Sequence, residues 1–160
     1  MSVRINVIGT PFIEVSNEKI HFPLKKAEAL VYYLAVEGVS NREKLAGLLW
    51  GSKDELSADN NLRNALYLLR RSFPQDLIIS DRRVVFLKGA ETDIDDIDKL
   101  RNPSVPIAAE QSYELLKGFD IPESSEFGEW LVVARTRVAD RIVENLRMRV
   151  SACYESEDDD

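Results

Sequence analysis

The chain has 160 residues, of which 44% are hydrophobic and 31% are charged, and its formal net charge is −7. This composition is typical of a globular chain with a core of its own, and no apolar run approaches the roughly 20 residues that a membrane-spanning helix needs. A single cysteine excludes an internal disulfide. Together with an N-terminus that lacks the long apolar region of a signal peptide, it predicts a cytoplasmic protein with no membrane partner.

The acidic residues are concentrated in the second part of the chain. Residues 1–90 contain 13 Lys and Arg against 10 Asp and Glu, whereas residues 91–160 contain 8 against 18. At physiological salt, charges are screened within about 8 Å, so a basic patch in the first part can still attract phosphate. The negative net charge therefore does not exclude nucleic acid as a partner.

The N-terminal quarter of the chain predicts a small antiparallel sheet followed by a helix. Residues 3–22 form short apolar runs that are interrupted near Gly9 and Ser16, which is typical of three short strands. Residues 24–37 then place apolar side chains at helical spacing, and Gly38 is expected to end this helix.

Two further helices are expected to follow in the order of a helix-turn-helix. The first covers residues 42–50, with Ser40 or Asn41 as its N-cap and Gly51 at its end. A polar connector then leads to a helix that reaches residue 73. Because this connector is longer than the three or four residues of the simple motif, it favours the winged variety.

The third predicted helix, with Ser57 or Asp59 as its cap, has an apolar stripe and a polar stripe. Arg can bind a guanine edge or a phosphate through two hydrogen bonds, Asn can pair with adenine in the same way, and the Tyr hydroxyl suits a phosphate. An acidic protein partner could use the same face, and a solvated amphipathic helix has a similar pattern. The apolar stripe consists of Leu62, Leu66, Leu69 and Phe73, the polar stripe of Asn60, Arg63, Asn64, Tyr67 and Arg71, and Arg70 lies between them.

A basic hairpin is predicted directly after this helix. Residues 77–80 and 84–87 are strand-forming runs, and Arg82 and Arg83 lie in the turn between them. Such a tip can place guanidinium groups along phosphates or in a narrow minor groove. The alternative interpretation of an isolated hairpin is an ordinary solvated turn.

The second part of the chain predicts helices. An acidic segment after Glu91 is expected to form a short helix that opens on Thr92 or Asp93, and residues 107–116 are expected to form another. A long helix is predicted over residues 128–150, antiparallel to the helix before it. Such a pair cannot bury all of its apolar surface, so the chain is expected either to continue or to dock the pair on its own first domain. The apolar stripe of the long helix consists of Trp130, Leu131, Ala134, Val138, Ile142 and Leu146.

Several of these segments together resemble a known family. The runs VSNREKLAGLLWG, NNLRNALYLLRRSF, LIISDRRVVFL and TDIDDIDKL are similar to the OmpR-type winged helix at the N-terminus of SARP-type transcriptional activators. The run FGEWLVVARTRV resembles the start of the bacterial transcriptional activation domain that follows it in that family. The resemblance implies an α+β fold, with a winged helix-turn-helix over residues 1–90. It also implies the first helices of a tetratricopeptide-like activation domain over residues 91–160, which is expected to be truncated at Asp160.

The resemblance also implies a function and a site. The function is sequence-specific binding of double-stranded DNA by an activator, as a homodimer or higher oligomer on repeated half-sites, with RNA polymerase as a further partner. The family's recognition helix, which enters the major groove, maps onto Asn60, Arg63, Asn64, Tyr67, Arg70 and Arg71. Its backbone contacts map onto Ser40 and Arg42, and its wing tip maps onto Arg82 and Arg83.

A second function class stays open, and an enzyme is not expected. The negative charge, Asp59 and a hairpin without the glycine common in family wings also fit a protein-interaction adaptor whose winged helix no longer reads DNA. The sequence contains no phosphate-binding glycine loop with a lysine, and its single histidine, His21, has no cysteine or histidine partner at metal-site spacing. We therefore predict no enzymatic activity, no cofactor and no metal.

Overall fold

The computed structural model describes residues 1–108 and 110–158, which form an α+β structure with two small sheets. Within these residues, no helix combines the length and the apolar character needed to cross a membrane. The elements in chain order are β1 (Val3–Asn6), β2 (Phe12–Val15), β3 (Glu18–Ile20), α1 (Lys25–Glu37), β4 (Ser40–Asn41), α2 (Arg42–Trp50), α3 (Glu55–Ser72), β5 (Ile78–Ser80), β6 (Val84–Leu87), β7 (Glu91–Thr92), a 3₁₀ helix (Asp93–Arg101) and α4 (Ser125–Asp158).

The first sheet has the strand order β3-β2-β1-β7. The three predicted N-terminal strands are confirmed, and they pair antiparallel. Ser16 and Asn17 join β2 to β3 with φ angles of 52° and 68°, a conformation that Asn tolerates better than most residues. Strand β7 was not predicted; it pairs parallel with β1 and so attaches the start of the second part of the chain to the N-terminal sheet.

The first two helices are confirmed close to their predicted bounds. Helix α1 ends before Gly38, which has a φ of 80° and donates its N–H to the carbonyl of Leu34. Helix α2 is capped by Asn41, whose Oδ1 accepts a hydrogen bond from the N–H of Lys44 at 2.6 Å. Both helices bury their apolar sides in one hydrophobic core.

The predicted start of the third helix is wrong. Helix α3 begins at Glu55, and its cap is Asp54, whose carboxylate accepts the N–H of Ser57 at 3.3 Å; neither Ser57 nor Asp59 is the cap. An aspartate satisfies a free N–H of the first turn as well as a serine does, so the helix begins about one turn earlier than predicted. The connector is therefore the short turn 51–54, and its length no longer favours the winged variety.

The predicted hairpin is confirmed, and a third strand joins it. Strands β5 and β6 pair antiparallel, with Ser80 opposite Val85, and β4 pairs with the other edge of β6. Strand β4, which was not predicted, immediately precedes α2. The start of α2 is therefore attached to the hairpin by strand pairing.

The predicted helix over residues 107–116 is wrong, and so is the antiparallel helix pair. The described residues of this range, which exclude Ala109, contain no helix. The N–H of Leu116 donates to the carbonyl of Val7 at 2.7 Å, and the N–H of Gly9 donates to the carbonyl of Glu114 at 2.8 Å. Because these backbone groups bond to the N-terminal segment, they are not available for a helix.

Helix α4 packs on the rest of the chain through one stripe, in which four of the six predicted residues are buried and Trp130 and Leu146 are partly buried. Its Phe127 is 0% exposed and lies 6.1 Å from Phe119 and 5.3 Å from Trp130 between ring centroids. Ser124, just before the helix, donates its hydroxyl to the carbonyl of Leu49 at 2.6 Å. The expected helix pair does not form, but α4 by itself docks on the first part of the chain.

A polar connection joins α4 to the 3₁₀ helix, with Asp98 and Arg141 exposed and Asn145 buried. Arg141 makes two hydrogen bonds to the carboxylate of Asp98, at 3.0 and 2.9 Å. Asn145, which is 1% exposed, donates to Asp98 and to the carbonyl of Ile97. Charge-assisted bonds of this paired geometry hold the two elements in a defined register.

Acid is expected to weaken this connection. The hydrogen bonds from Arg141 and Asn145 lower the pKa of Asp98 from 3.8 to about 2. Because the folded pKa lies below the unfolded one, the stabilisation by the carboxylate is fully present above about pH 4 and is lost as the pH falls toward 2. We expect Asp98→Asn to flatten the dependence of the urea midpoint on pH in this window. An equally steep decline in this variant would contradict the assignment.

Candidate nucleic-acid interface

Helix α3 has one buried face and one exposed face, as predicted. Leu62 and Leu69 are 0% exposed, and Leu66 and Phe73 are also buried. The opposite side carries the predicted polar residues in exposed positions. Its Tyr67 is 63% exposed. The apolar stripe therefore anchors the helix, and its amide, guanidinium and phenol groups face outward.

The exposed groups of α3 make few contacts within the fold. Arg63 lies 3.8 Å from the carboxylate of Asp59, one turn earlier, and its side chain is 67% exposed. The guanidinium of Arg71 lies 5.8 Å from the ring centroid of Tyr67, within the range of a cation–π contact. Among the described residues, no hydrogen bond engages the side chains of Asn60 and Asn64. These groups are available to an external ligand.

The hairpin tip is closed by an aspartate, without glycine. Asp81 accepts the N–H groups of Arg83 at 2.6 Å and Val84 at 2.9 Å. These two backbone bonds close the turn, and because they favour the ionised carboxylate they lower the pKa of Asp81. Arg82 and Arg83 are exposed at this tip.

Two hydrogen bonds hold the hairpin against the helices. The N–H of Arg42, at the start of α2, donates to the carbonyl of Arg83 at 2.7 Å. The guanidinium of Arg70, near the end of α3, donates to the hydroxyl of Ser80 in β5. The hairpin is thus fixed relative to both α2 and α3.

A groove of about 1310 Å³ lies between α2, the turn after it, the first half of α3 and the hairpin tip. Arg42, Arg63 and Arg82 all line it, although they lie far apart in the sequence. Lys53 adds a fourth basic group. The structure therefore brings one predicted residue from each of the three basic segments to a single concave surface.

The same groove is also rich in carboxylates. Its acidic lining residues are Glu43, Asp54, Glu55, Asp59 and Asp81. Basic groups outnumber acidic ones at the hairpin tip, where Arg82 and Arg83 adjoin Asp81, and outside the groove in the C-terminal half of α3, where Arg70 and Arg71 follow one another. The acidic groups at the N-terminal end would repel phosphate, so they bias any bound phosphate toward the middle of α3 and the hairpin.

Two predicted site residues are placed differently from the rest. Ser40 is 7% exposed, and its hydroxyl is buried without a hydrogen-bond partner among the described residues, so it lies beneath the surface. Arg70 is oriented toward Ser80 and contributes to the junction of α3 with the hairpin. The remaining predicted residues are exposed on α3 or at the tip, except Arg42 at the start of α2, which is half-buried.

Lys53 is a site residue that the sequence reasoning missed. It lies in the turn before α3. Because the sequence pattern predicts a later start for this helix, it assigns Lys53 to a longer connector. The signal that would have placed it in the turn before α3 is Asp54, a preferred N-cap residue directly before the good helix formers Glu55 and Leu56.

Comparison with known proteins adds no family to this geometry. No protein-family model matches the chain, and no curated protein is significantly similar to it. A function for the chain therefore has to be argued from the arrangement of α2, α3 and the hairpin.

Proposed function

We propose that the protein is a sequence-specific double-stranded DNA-binding module of a transcription activator. In this proposal α2 and α3 are a helix-turn-helix, α3 enters the major groove, and the β5–β6 hairpin is a wing on the DNA backbone or in the minor groove. The observation that carries the proposal is the exposed face of α3, whose Arg and Asn side chains are of the types that pair with base edges.

The geometry around α3 supports the proposal. A helix that enters the major groove needs an exposed face along much of its length, and α3 has 18 residues with its apolar side fully covered. Arg82 and Arg83 stand beside it on a hairpin that is tied to both helices. Helix and hairpin can therefore contact one duplex together, with Arg42 and the wing on phosphates.

The proposal extends to assembly and partners. One module of this size makes a small interface, so we propose that two or more copies bind half-sites about 10 to 11 base pairs apart, which places them on one side of the duplex. Contact of the bound modules with RNA polymerase, in the cytoplasm of a bacterium, completes the proposed activator.

Selection from a pool of genomic duplexes tests the proposal. The chain is incubated with the pool at two salt concentrations, bound duplexes are sequenced, and the affinity of the enriched ones is measured by fluorescence anisotropy. We expect a repeated motif whose spacing gives the half-site distance. A folded sample that enriches no sequence would contradict sequence-specific binding by this chain.

The five carboxylates in the groove favour a second candidate function. A groove with both signs of charge and exposed apolar side chains such as Leu56, which is 70% exposed, also suits a peptide or protein partner. In that case the chain is a protein-interaction adaptor whose winged helix does not read DNA.

Salt dependence separates the two functions. Each phosphate that the protein neutralises steepens the plot of log affinity against log salt by about 0.9. We expect the double variant Arg82→Ala/Arg83→Ala to reduce this slope by about 2 units in magnitude if both wing arginines contact phosphate. Arg4→Ala, on the first sheet, removes one charge from a different surface and serves as the control. A flat plot for the wild-type chain would favour the adaptor.

A further inference from the structure

Helix α4 carries a second stripe, which the rest of the described chain leaves mostly exposed. Val132 is 65% exposed, Val143 is 47% exposed and Val150 is 54% exposed. The members of the stripe alternate at spacings of four and three residues over three heptads, the pattern of a coiled-coil seam. They are Val132, Thr136, Ala139, Val143, Leu146, Val150 and Cys153.

This stripe lies next to the side of α4 that packs on the fold, and Leu146, which is partly buried, lies on the border between them. The packed side contains Phe127, Leu131, Ala134, Val138, Ile142 and Asn145. Arg135 and Arg149 border the open stripe on one edge, and both donate hydrogen bonds to backbone carbonyls of their own chain. That edge is occupied by the chain's own segments, so a partner must approach from the opposite edge.

The opposite edge carries four residues at spacings of seven: Val133, Asp140, Arg147 and Tyr154. Val133 and Tyr154 are 64% and 67% exposed, and they lie at the two ends of the edge. Asp140 and Arg147, of opposite charge, lie between them. At each end of this edge the terminal residue is apolar, and the next residue along the edge is charged.

We propose that this face of α4 binds the same face of a second copy, with the two helices antiparallel. In this alignment Val143 lies opposite Leu146 of the second copy, and Ala139 lies opposite Val150. Along the edge, Asp140 then lies near Arg147 of the second copy, and Val133 lies near Tyr154 of the second copy. The two-fold axis generates each of these pairs twice.

The charges select this alignment over its neighbours. A shift of one heptad in one direction places Asp140 opposite Asp140 of the second copy. A shift in the other direction places Arg147 opposite Arg147 of the second copy. Like charges at these positions oppose pairing, so only one antiparallel alignment matches the apolar stripe and the charged edge together.

The length of the stripe is sufficient for a stable helix pair. From Val132 to Cys153 the stripe extends about 32 Å at 1.5 Å per residue. Three heptads of apolar contact are near the minimum for a coiled coil, and the folded body holds the first part of α4 in helical form before association. The second copy therefore does not have to order the whole helix on binding.

Sedimentation of the full chain without DNA tests the association. We expect a two-chain mass at micromolar concentration, and we expect Val143→Asp to raise the dissociation constant by more than about a hundredfold, since each copy would bury an unpaired carboxylate. The matched control is Val39→Asp, at a valine that is 62% exposed before β4, and it should leave association unchanged. A single-chain mass for the folded wild-type chain overturns the inference, whether or not that chain binds DNA.

Cysteine cross-linking tests the orientation. Cys153 is exposed and is the single cysteine of the chain. The antiparallel alignment places it opposite residue 136 of the second copy, so Thr136→Cys should form a two-chain disulfide with Cys153 under mild oxidation. The wild-type chain should form no disulfide between copies under the same conditions. The variant that combines Thr136→Cys with Cys153→Ser should form none either. Rapid cross-linking of wild-type Cys153 to itself would show parallel helices and overturn the proposed pairing.

A charge exchange tests the alignment. We expect Asp140→Arg to weaken association by about tenfold, because each Arg147 would then face an arginine. Asp140→Arg combined with Arg147→Asp should restore it. Equal weakening in the single and double variants would overturn the proposed pairing of these two residues.

Discussion

Alanine in place of Arg63 or of Arg71 is expected to weaken duplex binding by more than about tenfold in each case. A two-point contact from an arginine to a guanine edge or a phosphate contributes about 1–3 kcal/mol to binding. Arg63 is 67% exposed and Arg71 lies on the exposed face, so neither substitution removes core packing. The measurement is anisotropy titration on a duplex enriched from the genomic pool.

The two arginines are expected to differ in what they read. Arg63 lines the groove between the helices and the hairpin, whereas Arg71 lies near the end of α3 beside Tyr67. If Arg63 contacts a base, Arg63→Ala relaxes the preference at one position of the enriched motif. If Arg71 contacts phosphate, Arg71→Ala weakens binding to all sequences alike and reduces the salt slope by about 1.

Controls separate lost contacts from lost structure. Both variants should keep the melting temperature of the wild-type chain, because exposed substitutions usually change stability by less than about 0.5 kcal/mol. Arg4→Ala removes the same charge from the first sheet and should bind normally. Wild-type affinity in both Arg63→Ala and Arg71→Ala would show that this face of α3 does not read DNA.

Alanine in place of Phe127 is expected to lower the free energy of unfolding by about 3–5 kcal/mol. Phe127 is 0% exposed and contacts both Phe119 and Trp130. Tyr33 of α1 packs on Trp130 with ring centroids 4.8 Å apart, so the aromatic cluster extends into the first part of the chain. Loss of this ring leaves a cavity where α4 meets α1.

Urea denaturation measures this effect and tests how far it spreads. Because one hydrophobic core contains residues from both parts of the chain, we expect a single transition that shifts as a whole in Phe127→Ala. The matched control is Leu56→Ala, a large-to-small change at a residue that is 70% exposed, and it should cost less than about 0.5 kcal/mol. Two transitions, with only one displaced, would show that residues 91–160 unfold as a separate domain.

Elements with strong local signals were predicted well from the sequence. Helices α1 and α2 have apolar residues at helical spacing, a glycine directly after each of them, and a cap residue before α2. The two faces of α3 followed from periodicity alone, because residues three and four apart lie on the same side of a helix. The hairpin followed from two β-branched runs around a polar turn.

Elements that depend on distant partners were missed. Strands β4 and β7 have two residues each and exist because β6 and β1 provide hydrogen-bond partners. The segment at 107–116 has apolar residues at nearly helical spacing, yet its backbone bonds to residues near Val7 and Gly9. Local spacing contains no information about such contacts, and tertiary hydrogen bonds override a weak helix preference.

In the candidate site, too, some features follow from local sequence and others depend on distant segments of the chain. The sequence by itself determined which residues of α3 are buried and which face outward, since a helix converts spacing directly into direction. Only the tertiary structure decided that Arg42, Arg63 and Arg82 line one groove, that Ser40 is buried, and that Arg70 is bonded to Ser80. These placements result from strand pairing and helix packing between segments distant in the chain, where residue type and spacing specify neither the partner nor the distance.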